Sequence, residues 1–318
     1  MPLEPRLRTF VAFANRMPVP DDSVSFAERR ASAARQYERF GWVALRPGPK
    51  VASIANKFVP VDRGRITVRV YRPSAVRNLP LHVFLHGGGW CMGTLDERDC
   101  RCKAIAVDAD CVVASVEYRL APECQYPTAP EDCYAALGWL VEHADEMGVN
   151  AHAVTIGGES AGGNLSAVVA LMARDRGGPQ LLLQMLDVPA TDLTLAHPSI
   201  SELGSGYLLT RHEIEHYLDS YLPDRSMVTD PYASPLHAKD LSGLPPAHIM
   251  TAEFDPLRDE GQAYGEKLQA AGIPVEHVRL AGHIHPSFAF TQLLPSARAY
   301  HRDFVAALRR ATAPHRCN

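Results

Sequence analysis

The chain sets down a series of short, apolar, turn-bounded runs: I-T-V-R-V-Y (66–71), L-H-V-F-L-H (81–86), C-V-V-A-S-V-E-Y (111–118), H-A-V-T-I-G (152–157), L-L-L-Q-M-L (181–186), A-H-I-M-T-A (247–252) and V-E-H-V-R-L (275–280). The first alternates as a half-buried strand should. The others read as strands buried on both faces, the usual pattern of parallel strands. Helical stretches near 95–107, 129–146, 161–174, 256–271 and 292–311 separate them. Strands that alternate with helices imply a mostly parallel sheet with helices packed on both faces.

Two regions stand outside that rhythm. Residues 1–45 read as helical, with Phe26, Ala33, Tyr37 and Phe40 near one stripe, before Pro47 and Pro49 end the pattern. Residues 189–240 hold loops and an amphipathic helix near 211–221. We read 1–45 and 190–225 as two parts of a cap. The core is then 46–189 and 226–318, one structural domain.

Strand 152–157 runs into G-G-E-S-A-G-G (157–163) and then into a helical N-L-S-A-V-V-A-L-M-A. G-x-S-x-G between a strand and a helix is the setting of a nucleophile elbow. Glycines at 158 and 162 let neighbouring backbone pass without a Cβ clash, and Ser160 projects from the turn. A serine alcohol needs a base to take its proton and an acid to orient that base. Where an elbow carries the serine, the order along the chain is serine, acid, histidine. In A-E-F-D-P-L-R-D-E after strand 247–252, Asp255 is a candidate acid, with Glu253 and Asp259 as rivals. Asp255 before Pro256 also reads as a helix N-cap. In A-G-H-I-H-P-S-F after strand 275–280, His283 and His285 compete for the base.

H-G-G-G-W (86–90) follows strand 81–86. Acyl transfer develops charge on the former carbonyl oxygen, and glycines let backbone N–H groups approach it closely. Together with Y-R-L-A-P-E (118–123), Y-P-T-A-P-E-D (126–132), G-E-S-A-G-G-N (158–164), E-F-D-P-L-R-D-E-G (253–261) and G-H-I-H (282–285), the chain resembles the hormone-sensitive-lipase-like carboxylesterases, bacterial family IV of the α/β-hydrolases. The resemblance implies the α/β-hydrolase fold: a mostly parallel central sheet of about eight strands, helices on both faces and a helical cap. It implies Ser160 as nucleophile, Asp255 as acid and His285 as base, with the N–H groups of Gly88, Gly89 and Ala161 as oxyanion donors. The expected activity is hydrolysis of short- to medium-chain carboxylic esters through an acyl-enzyme, with an optimum between about four and eight acyl carbons. Trp90 and Met92 are candidate wall residues. An amidase or deacetylase of the same fold, and a receptor that binds without turnover, are the alternatives. Retention of His285 favours an enzyme.

The chain departs from the family where His285-Pro286-Ser287 stands in place of H-G-F, with Phe290 retained, and where Glu159 replaces the commoner aspartate or threonine. H-E-I-E-H (212–216) matches a zinc-protease motif, but Thr210 and Glu213 read better as a capping box. N-L-S (164–166) is a sequon by letter that falls in the helix after the elbow, where it should be packed in the core. Tyr118 and Arg119 read as structural.

The chain has 318 residues, 46% of them hydrophobic, and a formal net charge of −4 with both signs interspersed. That balance points to no nucleic acid and no anionic membrane. No apolar run long enough to span a bilayer is present, so no membrane insertion is expected. The N-terminus lacks the apolar core of a signal peptide. Seven cysteines (Cys91, Cys100, Cys102, Cys111, Cys124, Cys133 and Cys317) without C-x-x-C spacing read as reduced thiols. The expected setting is cytoplasmic and tied to lipid metabolism. The expected partner is a small ester, with no metal and no cofactor, and a homodimer is compatible with the chain.

Overall fold

Eight strands form one sheet in the order β1-β2-β4-β3-β5-β6-β7-β8. This computed structural model describes residues 2–16 and 22–315. The predicted cap segment 1–45 is therefore described in two pieces, and Cys317 lies outside the described residues. Helices α1 (Pro5–Ala14) and α2 (Phe26–Ala44) come first. The hairpin β1 (Ser53–Val61) and β2 (Gly64–Arg72) follows, then β3 (Leu79–Leu85), α3 (Asp99–Ala109) and β4 (Val112–Glu117). Next come α4 (Thr128–Glu142), α5 (Ala144–Met147), β5 (Val149–Glu159), α6 (Ala161–Asp175) and β6 (Gln184–Asp187). After them the chain forms α7 (Pro198–Glu202), α8 (Arg211–Tyr221), β7 (Ala247–Phe254), α9 (Arg258–Ala270), β8 (Val275–Ile284) and α10 (Pro295–Thr312).

Strand β2 pairs antiparallel with β1 and with β4; every other neighbour is parallel. Strand β3 lies between β4 and β5, so the chain leaves β3 toward one side of the sheet and β5 toward the other. This is a topological switch point, where the carboxyl ends of two neighbouring strands diverge and leave a crevice.

The period-two rule of a strand decides which layer each residue joins. Leu81, Val83 and Leu85 of β3 pack with Leu137 of α4 and Leu165 of α6. Phe84, between them, packs on the opposite face with Ile105 of α3 and Phe304 of α10. Strand β4 does the same, with Val112, Ala114 and Val116 on the first face and Val113 on the second. Each such side chain contributes about 1.5–3 kcal/mol by leaving water.

Ser25 and Glu28 form a capping box at the start of α2, and Thr210 and Glu213 form another at the start of α8. The H-E-I-E-H motif therefore spends Glu213 on a helix cap. Its histidines face Asp22, with His212 Nε2 at 3.0 Å and His216 Nδ1 at 3.9 Å. Those contacts, and the His216 ring stacked on Phe26 at 5.0 Å, join α8 to the chain entering α2.

Gly138 sits inside α4, and a Cβ placed on it meets nothing within 4 Å. Alanine there removes unfolded-state entropy without a clash. Gly138→Ala should stabilise the protein by about 0.5–1 kcal/mol. A thermal melt checks this, with a rise of about 2 °C expected.

Candidate active site

Strand β5 is buried along its last residues, and the turn after it places Ser160 at φ 55° and ψ −119°. A non-glycine residue there costs about 1–3 kcal/mol, so its surroundings must hold it. Ser160 N donates to Asp187 O at 2.8 Å, which ties the turn to the end of β6. The Ser160 carbonyl accepts from Asn164 N at 2.9 Å as α6 begins. A Cβ on Gly158 or on Gly162 would come under 3.0 Å from the Leu85 carbonyl. These glycines are needed because the turn presses directly on the end of β3. The sequon residue Asn164 is fully buried, and its amide donates to Ala190 O and Ala233 O, both at 2.7 Å.

The loop after β3 lies beside this turn. Gly88 and Gly89 have φ of 125° and 58°. Among the described residues their N–H groups donate to no backbone carbonyl. Ala161 opens α6, and first-turn N–H groups have no partner within their own helix. Behind the loop, the His86 ring stacks on Tyr118 at 4.3 Å, and Tyr118 OH donates to His86 O at 2.8 Å. Burial pushes His86 down to about 4, so it is neutral, and its Nδ1–H donates to Gly87 O at 2.9 Å. Arg119 clamps Asp132 through Nε at 2.9 Å and a terminal nitrogen at 2.6 Å. Tyr118 thus braces this loop, and Arg119 ties the segment after β4 to α4.

The predicted acid and base meet at the ends of β7 and β8. His285 Nδ1 lies 2.8 Å from Asp255 Oδ2, and Asp255 Oδ1 accepts from Leu257 N at 2.9 Å. The rival groups are engaged elsewhere. Asp259 accepts from Arg258 Nε at 2.7 Å and from Ser199 N at 3.0 Å, and Glu253 accepts from Gly282 N at 2.7 Å. His283 is held between Ser287 Oγ at 2.9 Å and Ser296 Oγ at 2.8 Å. Ser287, the departure from the family pattern, therefore anchors the neighbouring histidine. Among the described residues no hydrogen bond joins Ser160 Oγ to His285. Such contacts commonly tighten only once substrate binds.

Beneath the serine turn lies a buried ion cluster. Arg98 Nε pairs with Glu159, Arg101 pairs with Asp187, and Arg101 also reaches Glu159 at 3.5 Å. Tyr300 OH donates to Asp187. Burial would raise Glu159, but Arg98 and Arg101 outweigh it and hold the carboxyl below its ordinary range.

A cavity of about 40 Å³ lies at Ser160, Ala161 and Gly89. Trp90 lines it and stacks on Tyr221 at 4.4 Å. Met92 is not among its walls; it sits behind the loop, against Gly88. The sequence reading missed most of the lining, including Leu209, Ile214, Tyr217 and Leu218 around α8, and Asp192 and Glu260. Tyr217 lies so close to Gly89 that a Cβ there would run into its ring. The apolar stripe of 211–221 could have flagged these α8 residues.

Glu159→Gln removes one charge from between two guanidiniums and should cost about 3–5 kcal/mol. Because the folded carboxyl is held low, its contribution is present at neutral pH and fades as pH falls through the folded value. Urea midpoints should show a constant gap between wild type and variant from about pH 5 to 8, shrinking below about pH 4.

The family described as alpha/beta hydrolase fold matches residues 82–289. A carboxylic ester hydrolase of Mycobacterium tuberculosis, LipN, is 45% identical over 83% of this chain and 72% of its own. An arylesterase of Saccharolobus solfataricus is 34% identical over 90% of this chain and 92% of its own. A hyperthermophilic esterase from the archaeon Pyrobaculum calidifontis superposes with a TM-score of 0.92 at 35% identity, covering 98% of this chain and 99% of its own. With the serine turn, the glycine loop and the acid–histidine pair all at the carboxyl ends of its parallel strands, this chain belongs to the α/β-hydrolase family.

Proposed function

We propose that this protein is a serine carboxylesterase that cleaves short-chain esters in two steps through an acyl-enzyme. That it is a carboxylic ester hydrolase follows from its family and relatives. The finer reading is carried by one observation, the 2.8 Å contact of His285 Nδ1 with Asp255 Oδ2. With Nδ1–H donated to the carboxylate, Nε2 is left as the basic nitrogen of the ring.

In the first step His285 Nε2 takes the Ser160 proton as Oγ attacks the ester carbonyl. The oxyanion accepts from the N–H groups of Gly88, Gly89 and Ala161, one such donor being worth about 3 kcal/mol. Collapse breaks the bond to the alkoxy oxygen, which leaves with the proton from His285. Water then gives a proton to His285 and attacks the acyl carbon. The second collapse frees the acid and returns the proton to Ser160. The buried carboxylate of Asp255 stabilises the imidazolium that forms in each step.

We read 1–45 and 190–225 as the cap over this site, and the reading rests on α8 roofing the cavity. A cavity of about 40 Å³ has room for about three water-sized groups. That supports the short end of the expected range of acyl chains. Among the described residues no helix is long and apolar enough to cross a membrane, and six cysteines are free. We place the protein in the cytoplasm on the strength of those thiols.

Ser160→Ala should lower kcat by about four to six orders of magnitude. An organophosphate should label Ser160 alone, and near-native turnover in the variant would refute the mechanism. Asp255→Asn should cost about 10⁴-fold in kcat, whereas Asp259→Asn and His283→Ala should cost far less. A larger loss from Asp259→Asn would reassign the acid.

Across para-nitrophenyl esters of increasing acyl length, kcat/KM should climb about three- to fourfold per added CH₂ while the cavity fills. It should peak near four carbons and then fall. A steady rise to long-chain esters would show an open groove in place of a cavity of finite depth.

A further inference from the structure

Among the described residues six carboxyl side chains are buried: Asp132, Glu159, Asp187, Asp192, Asp255 and Glu260. Asp132, Glu159 and Asp187 pair with arginines, while Asp192 and Asp255 pair with histidines. Among the described residues Glu260 has no cation. It is 0% exposed, in the first turn of α9, and it lines the same cavity as Ser160. Its Oε1 accepts from Thr191 N at 2.8 Å and from Asp192 N at 3.3 Å. Its Oε2 is buried and has no partner.

An isolated carboxylate in that position would be severely penalised, so the group keeps its proton. Burial pushes Glu260 well above the usual carboxylate range, and the nearby Asp192 and Asp255 add to the effect. A protonated carboxyl with one oxygen already accepting has an O–H to donate from the other. Leaving that O–H unused in a mostly apolar cavity is costly, and a ligand that accepts from it recovers the loss.

We propose that Glu260 is a specificity-determining residue whose Oε2 hydrogen-bonds an oxygen carried by the substrate. The favoured substrates are then esters with an ether, carbonyl or hydroxyl oxygen a few atoms from the scissile group. The inference rests on the esterase reading, and the oxygen can belong to the acyl or to the alcohol chain. An anchoring role for Glu260, holding the Thr191–Asp192 backbone through Oε1, would affect all esters alike.

The test uses matched pairs that differ by one oxygen for one CH₂. In the acyl arm para-nitrophenyl methoxyacetate is set against the butanoate. In the alcohol arm methoxyethyl acetate is set against butyl acetate. Each kcat/KM ratio is divided by the ratio for alkaline hydrolysis, which removes intrinsic reactivity. Wild type should favour the oxygen-bearing ester by about three- to tenfold in one arm, which identifies the chain that carries the acceptor. Glu260→Gln, which keeps a donor, should retain the preference, and Glu260→Met should bring it to about one.

A corrected ratio near one in both arms of wild type overturns the proposal, as does a preference that survives Glu260→Met. If Glu260→Met does not fold, the wild-type ratios and the Gln variant decide by the same criteria. No turnover of the butanoate or of the acetate esters would mean that the esterase reading itself had failed, and the proposal would fall with it.

Discussion

Everything at this site depends on how closely the turn after β5 presses against the end of β3. Gly158 and Gly162 sit against the Leu85 carbonyl with no room for a Cβ on either. Gly87, on the other side, has no room either, because a Cβ there would come within 2.8 Å of the Glu159 carbonyl. Three glycines, one after β3 and two flanking Ser160, therefore let two backbones meet where side chains would hold them apart. The contact brings Ser160 against Gly87, where an added Cβ would lie 3.3 Å from the Ser160 Cβ, and sets it in one cavity with Gly89. It also holds the serine at its strained φ, because relaxing the turn would drive backbone into backbone. The strain is local, and the offset comes from the packed β3–β5–α6 layer beneath it.

Electrostatics reinforces the same contact from below. Glu159 follows the strand that ends at the serine, Arg98 ends the segment leaving the glycine loop, and Asp187 closes β6. Arg98 and Arg101 face Glu159 and Asp187, and Arg98 also pairs with Glu97 at 3.4 Å. These pairs join three loops with short, directional contacts that would be weak at a surface. In the interior their value lies in the penalty for separating them. Glu260 follows the opposite logic. With no cation beside it, it is stable only as a neutral acid, and it faces the cavity and not the ion cluster.

How legible these features were depends on how local their causes are. The elbow, the glycine loop and the E-F-D-P-L-R-D-E-G segment could be read because their constraints act within a few residues of backbone. The parallel strands could be read because burial on both faces leaves an apolar run. Strand β1 was not among the runs read out, since it is an edge strand exposed along most of its length. Strand β6 was read over 181–186 but forms over Gln184–Asp187, because a run of leucines does not mark where pairing begins. The choice between His283 and His285 could not be made from residue type. It turns on Ser287 and Ser296, thirteen residues apart from His283 at the farther one, and on Asp255 across the sheet. The walls of the cavity were least legible. Trp90 and Met92 are two positions apart in the same loop, yet only Trp90 lines the cavity that holds Ser160.

The cavity owes its shape to α8, and the packing of α8 bears on how selectivity can arise. Ile214, Leu218 and Tyr221 are buried in the same cluster as the strands β3, β4 and β5, and not in a separate layer. Phe26, at the start of α2, joins that cluster too. Lifting α8 would therefore expose core side chains at about 1.5–3 kcal/mol each, in addition to the stacking of Trp90 on Tyr221. A roof attached this firmly is a fixed wall. Selectivity must then come from the dimensions and polarity of a space that exists before substrate arrives. Such a space discriminates weakly by single carbons, since each buried methylene contributes only about 0.8 kcal/mol. It discriminates more strongly by whether its few polar atoms are satisfied, and in this cavity Glu260 Oε2 is a polar atom still without a partner.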